Sequence, residues 1–146
     1  MLSGRDLLST ELPLPIPHRE PFLFVTRQEV GTETEGLFRY DFPRSGDTFA
    51  LRMFPELLTV EAMAQSAAAF HGLSQEAGEV EQGVLASVDR VRFHGRPRPG
   101  DPLTVKIRKK KAFGALVLLD GEVWVHHRMV AQGEFVVRRG SVEQPV

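Results

Sequence analysis

The run Pro55-Glu56-Leu57-Leu58-Thr59-Val60-Glu61-Ala62-Met63-Ala64-Gln65-Ser66-Ala67-Ala68-Ala69-Phe70-His71-Gly72 decides how this chain folds. Pro55 suits the first turn of a helix, where its missing N–H has no partner to lose. The residues after it are rich in Leu, Ala and Met, all good helix formers, and Gly72 reads as a left-handed stop. The spacing predicts a helix over Glu56–His71. Apolar residues fall on nearly every side of it, the pattern of a helix enclosed by other elements rather than laid on a surface. One small sheet covers one flank, and the other needs either the sheet's own curl or a second subunit, so the sequence points to a dimer. Against this background Glu61 and Gln65 stand four apart and project from one face. A carboxylate buried without a partner is costly, and acid–base catalysis uses carboxyls in such surroundings. The alternative is that this face meets solvent or caps a neighbouring strand.

The remaining strong signals are strands. Phe22–Val30 and Gly36–Phe42 read as a hairpin joined through the polar segment Gly31–Glu35. An irregular loop follows up to Pro55. Val84–Phe93 is a strand candidate that ends before Pro97, Pro99 and Gly100, and Leu103, Val105 and Ile107 alternate with Thr104, Lys106 and Arg108 as a half-buried strand does. Ala115–Val125 and Arg128–Arg138 complete the set. A turn at His126-His127 gives these two arms similar length, which makes Asp120-Gly121 a bulge despite its hairpin chemistry. One long helix among five or six antiparallel strands is an α+β domain.

The chain of 146 residues reads as a single domain, with a proline-rich lead-in over 1–21 and a tail at 140–146 that has little to bury. With 42% hydrophobic and 25% charged residues it is composed as a globule, not as a disordered chain. Eighteen Lys and Arg against nineteen Asp and Glu leave no overall pull toward nucleic acid or a membrane surface. No stretch is apolar for the roughly 20 residues a bilayer needs, and no signal peptide is read. Cysteine is absent, so disulfides and thiol chemistry are excluded and the expected location is the cytoplasm.

Three further stretches complete a recognisable set. Pro17-His18-Arg19-Glu20-Pro21-Phe22-Leu23-Phe24-Val25, Asp41-Phe42-Pro43 and Pro55 through Gln65 appear in that order, followed by Val88-Asp89-Arg90-Val91-Arg92-Phe93 and Pro99-Gly100-Asp101. Together they resemble the FabZ-type 3-hydroxyacyl-acyl-carrier-protein dehydratases, over about residues 5–138. The resemblance implies a hotdog fold, in which a curved antiparallel sheet wraps a long helix and active sites form between subunits of a homodimer or a trimer of dimers. It implies elimination of water from a 3-hydroxyacyl thioester carried on acyl carrier protein or coenzyme A, as in fatty acid biosynthesis, with no metal and no cofactor.

The resemblance also assigns residues. Glu61 carries over as the helix carboxylate, whereas the family's catalytic His before Phe-Pro is replaced by Asp41. Glu56 stands where the family has Gly, and the connection between Pro43 and Pro55 carries an insertion. The expected site is therefore Glu61 with Asp41 from the partner chain, and Phe42, Pro55, Glu56, Leu57, Leu58, Met63 and Gln65 are expected to bind substrate. Two carboxyls could divide the acid and base roles, at a poor rate. Two other classes stay open: an acyl-thioesterase using Asp41 or Glu61 against the same thioester, and a non-catalytic acyl-binding or partner subunit. Of the five His residues, His18 belongs to the lead-in, His71 ends the helix, His94 precedes a turn and His126-His127 form one; none is spaced as a metal ligand set. Arg96, Arg98, Arg108, Lys109 and Lys110 are the candidate docking cations for an acidic carrier or coenzyme A phosphates.

Overall fold

A computed structural model describes residues 14, 16–17, 23–25, 27–41, 55–73 and 83–139. Among these described residues, six strands and one helix follow in chain order: β1 (Arg27–Gly31), β2 (Glu35–Asp41), α1 (Pro55–Leu73), β3 (Val84–Phe93), β4 (Pro102–Phe113), β5 (Leu116–Val125) and β6 (Arg128–Arg138). The strands form one sheet in the order β1-β2-β4-β5-β6-β3, with every neighbouring pair antiparallel. Helix α1 lies across the sheet and packs chiefly on β4, β5 and β6. This is the α+β arrangement expected from the sequence. No described helix is long and apolar enough to cross a membrane.

Alternation sets the two faces of the sheet. Leu103, Val105 and Ile107 on β4 and Val117, Leu119 and Val123 on β5 are buried, and Phe135 and Val137 join them from β6. They meet Leu58, Ala62, Met63, Ala67, Ala69 and Phe70 of α1 in one core. Burial of each large side chain contributes about 1.5–3 kcal/mol. Gly121 and Gly133 stand directly opposite each other at the centre of this layer. A Cβ on Gly121 would lie 3.1 Å from the Met63 sulfur and 3.1 Å from a Phe135 ring carbon. The missing side chain is what lets Met63 seat against the sheet.

That close approach corrects the expected bulge. The ladder runs unbroken through Asp120 and Gly121, which pair with Glu134 and Gly133. The irregularities fall instead between Lys109 and Lys111 on β4 and between Val123 and Trp124 on β5. The turn at His126-His127 stands as expected, with His126 in the left-handed region at φ 52°.

Two other boundaries differ. Helix α1 continues to Leu73, and Gly72 sits inside its last turn without a positive φ. The first ladder begins at Arg27, not Phe22. Leu23, Phe24 and Val25 are buried yet outside the sheet, because the Phe24 N–H donates to the Gln65 side chain (2.8 Å) and not to a strand. His18, Phe42, much of the lead-in and the tail from 140 onward lie outside the described residues.

Candidate active site

The helix is not enclosed by its own sheet. Leu57 is 62% exposed, and Val60, Glu61, Ala64 and Ala68 are half-buried. Their spacing places them along one stripe of α1. Beyond the helix, β3 is, among the described residues, an edge strand whose one neighbour is β6. Leu85, Val88 and Phe93 pair with Val137, Phe135 and Ala131, so they share the sheet's helix-facing side. All three are nonetheless exposed, Phe93 at 47%. Among the described residues, a mostly half-buried apolar stripe with one carboxylate and an exposed apolar edge thus both lack full cover.

Glu61 is held in place from behind. The Gln65 amide nitrogen donates to Glu61 Oε1 at 2.9 Å, while Gln65 Oε1 accepts the Phe24 N–H at 2.8 Å. Because a main-chain N–H can only donate, the Gln65 oxygen must face Phe24, and its NH2 must therefore face Glu61. Gln65 is 1% exposed, so its orientation is fixed in the core. Gln65 thus caps a neighbouring segment, and Glu61 stands on the half-open stripe. The other buried hydroxyls of α1 are satisfied within the helix, Thr59 by the Glu56 carbonyl and Ser66 by the Ala62 carbonyl. Replacing Gln65 by Leu leaves the buried Phe24 N–H without an acceptor, a loss of about 1–3 kcal/mol. We expect that loss in urea unfolding, with a fall in kcat larger than any change in KM as Glu61 loses its brace.

At the helix start, Arg96 Nε donates to Glu56 Oε1 at 2.6 Å. The Glu56 carboxyl is held below the ordinary carboxylate range, first by its own backbone N–H in the opening turn and then by the Arg96 guanidinium, against the opposing effect of burial. Glu56 is thereby committed to Arg96. Pro55 is buried beside it. Leu58 and Met63 are fully buried in the core and do not stand on the open stripe. Asp41 ends β2, with its backbone opposite Pro102. Of the expected substrate-binding residues that are described, only Leu57 therefore shares the open stripe with Glu61. Val60, Ala64 and Ala68 join them, as does the β3 edge, none of which the spacing of polar residues could mark.

The docking cations separate into different places. Arg96 and Arg98 lie between β3 and β4, where Arg96 reaches the helix start. Arg108 and Lys110 are on the sheet face away from α1, bonded to Asp120 and Glu134. They line a groove of about 350 Å³ together with Arg90, Arg92, Glu122 and Gln132. Lys109 lies on the helix side, beside Phe70 and His71.

The model of the FabA-like domain matches residues 50–134. The 3-hydroxyacyl-[acyl-carrier-protein] dehydratase FabZ of Clostridioides difficile is 32% identical over 138 residues, covering 86% of this chain and 92% of that protein. The FabZ of Syntrophomonas wolfei is 32% identical over 143 residues, covering 92% and 97%. The chain belongs to the FabA-like family. Among solved structures, the dehydratase heterocomplex ApeI:P from Xenorhabdus doucetiae matches with a TM-score of 0.74 at 18% identity, over 91% of this chain and 94% of that one. A hypothetical thioesterase with coenzyme A from Streptococcus pneumoniae matches with 0.62 at 12% identity, over 78% and 84%. At these identities the structures speak for the fold, which is the hotdog arrangement of FabA-like domains. The Glu61-Ala62-Met63-Ala64-Gln65 segment lies inside the matched region.

Proposed function

We propose that this FabA-like chain acts on 3-hydroxyacyl thioesters by dehydration, as the names of its FabZ relatives describe for those proteins. The observation that carries the reading is Glu61, fixed by a buried amide and standing on the apolar stripe. In the reaction a base takes the proton from the α-carbon, and the C–H electron pair becomes the new double bond. The C–O bond at the β-carbon breaks, and an acid delivers the proton that turns the departing hydroxide into water. Glu61 supplies one of these two functions. Asp41 of a second chain is the candidate for the other. Leu57, Val60, Ala64 and Ala68 line the acyl path.

The same reading pairs β3 with β3 of another protomer. An edge strand with unpaired backbone groups and exposed Leu85, Val88 and Phe93 is a template for association. Its two register shifts, with Arg90 at φ 52°, restrict that pairing to a strand of matching shape. We expect Val88→Lys combined with Phe93→Lys to reduce the mass measured by light scattering to that of one chain and to remove turnover; a variant keeping the wild-type mass contradicts the interface. Arg96, bonded to Glu56 at the helix start, and Arg98 in the same loop are the candidate cations for the carrier's phosphates or acidic surface. The reading sets the protein in the cytoplasm.

The test is incubation with a short 3-hydroxyacyl thioester while enoyl product and free thiol are both followed. Enoyl formation without thiol supports the dehydratase. Thiol release without enoyl product makes the protein a thioesterase.

A further inference from the structure

We infer that the tip of the β4–β5 hairpin is a docking surface for a bilayer carrying anionic lipid, with Phe113 and Leu116 entering the headgroup region. The chain is near neutral overall, with eighteen Lys and Arg against nineteen Asp and Glu, but its charges are not spread evenly. Every residue from Lys111 to Leu116 is exposed, and after Lys111 the run Ala112-Phe113-Gly114-Ala115-Leu116 carries no charge. Gly114 and Ala115 form the turn, with Gly114 in the left-handed region at φ 56°. Nothing stands within 4 Å of where a Cβ on Gly114 would fall, so the turn projects clear of the described part of the molecule.

Strand register widens this tip into a patch. Phe113 pairs with Leu116, Leu116 with Arg138, and Arg138 with Val84, which sets the four in one row across the sheet. Val117 belongs to the core, so its neighbour Leu116 and the rest of the row point to the opposite face, away from α1. Phe113 is 54% exposed, Val84 45% and Leu116 40%. The Lys111 ammonium lies 4.5 Å from the centre of the Phe113 ring, and Arg138 stands between Leu116 and Val84. Neither cation makes an ion pair among the described residues, whereas Arg108 and Lys110, further along β4, are taken by Asp120 and Glu134.

Unpaired cations among exposed apolar side chains complement an anionic interface. The ammonium and guanidinium meet headgroup phosphates there, while their stems and the aromatic ring lie against acyl carbon. A second copy of the chain fits worse, because a symmetric contact would bring the same unpaired cations together. The acidic face of a protein would answer the cations but not the projecting apolar turn. Phe113 and Leu116 are separated from the β3 edge by β6, so a strand paired along β3 does not reach them.

The test mixes the wild-type protein with vesicles of phosphatidylcholine alone, or with about one third phosphatidylglycerol, and separates them by centrifugation at low salt. We expect binding to the anionic vesicles and none to phosphatidylcholine alone. Lys111→Gln should lower the partition coefficient about fivefold, the effect of one cation near an anionic surface. Phe113→Ser/Leu116→Ser should lower it about tenfold or more, with turnover of a soluble 3-hydroxyacyl thioester unchanged. Phe113→Trp reports entry directly, since brominated lipid should quench its fluorescence more than that of wild type. The single wild-type tryptophan, Trp124, lies eight residues along β5 from Leu116, roughly 26 Å.

Wild type left in the supernatant beside anionic vesicles overturns the inference. Binding that Phe113→Ser/Leu116→Ser leaves unchanged also overturns it, because cations elsewhere then hold the vesicle. A fall in the mass of that variant by light scattering makes the tip a contact between copies instead. Quenching of Phe113→Trp no greater than that of wild type removes the entry of the tip into lipid.

Discussion

Glu61→Gln should lower enoyl formation by a factor of about 100 to 10,000, the range expected when a general acid or base is removed. The substitution keeps the side chain's length and an oxygen able to accept from the Gln65 amide, which bonds Glu61 Oε1 at 2.9 Å. The brace on Phe24 is untouched, since the Gln65 oxygen still accepts its N–H. Stability should therefore stay within about 1 kcal/mol of wild type, as for changes that break no buried network. A large loss of turnover with a normal unfolding midpoint separates chemistry from folding. The contrast with Gln65→Leu is informative, because that change damages both. If Glu61→Gln turns over as fast as wild type, the helix carboxylate is not in the reaction.

Asp41→His should raise dehydration by a factor on the order of 100. The reason is proton supply. At pH 7 about one ordinary carboxyl in 500 carries a proton, while about one ordinary imidazole in four does. Elimination needs one protonated and one unprotonated group at the same moment. A pair of carboxylates rarely presents that state, and a carboxylate with an imidazole presents it often. The family resemblance puts the His at position 41, and the structure places that position at the end of β2, just before the connection to α1. A gain on this scale, abolished by adding Glu61→Gln, shows that the two positions work together. No gain would point to the inserted connection between Pro43 and Pro55.

Much of the architecture was legible in local pattern. The apolar helix, the alternating β4 strand and the turn at His126-His127 each follow from spacing within a few residues. What escaped depends on distant parts of the chain. Local pattern puts the start of β1 too early because the Phe24 N–H is taken by Gln65, 41 residues away. Asp120-Gly121 has the local chemistry of a turn, but Met63 needs the space over Gly121, so the ladder continues. Arg108, Lys109 and Lys110 are adjacent in the sequence and read as one set of docking cations. The strand and its irregularity at Lys110 send Lys109 toward the helix and Arg108 and Lys110 to the opposite face, where Asp120 and Glu134 neutralise them.

The site was legible as a list of residue types but not as an arrangement. Glu61 and Gln65 were identified as a pair from their spacing, yet nothing in the spacing assigns Gln65 to the core and Glu61 to the open stripe. Leu58 and Met63 look the same as Leu57 in the sequence, and only the packing on β4 to β6 distinguishes core from stripe. The exposure of β3 could not be read at all. It reflects what lies beyond the edge of the sheet, and a strand's own residues do not encode that.

The Glu61 carboxylate should face the reacting carbon of an acyl thioester in a cleft completed by another chain. A crystal structure of the oligomer with a stable 3-hydroxyacyl amide tests it most directly. The 3-hydroxyl is expected within hydrogen-bonding distance of Glu61, with the acyl chain along Leu57, Val60 and Ala64 and residue 41 of the facing chain on the other side. A ligand bound elsewhere, or Glu61 open to bulk water with β3 uncovered, contradicts it.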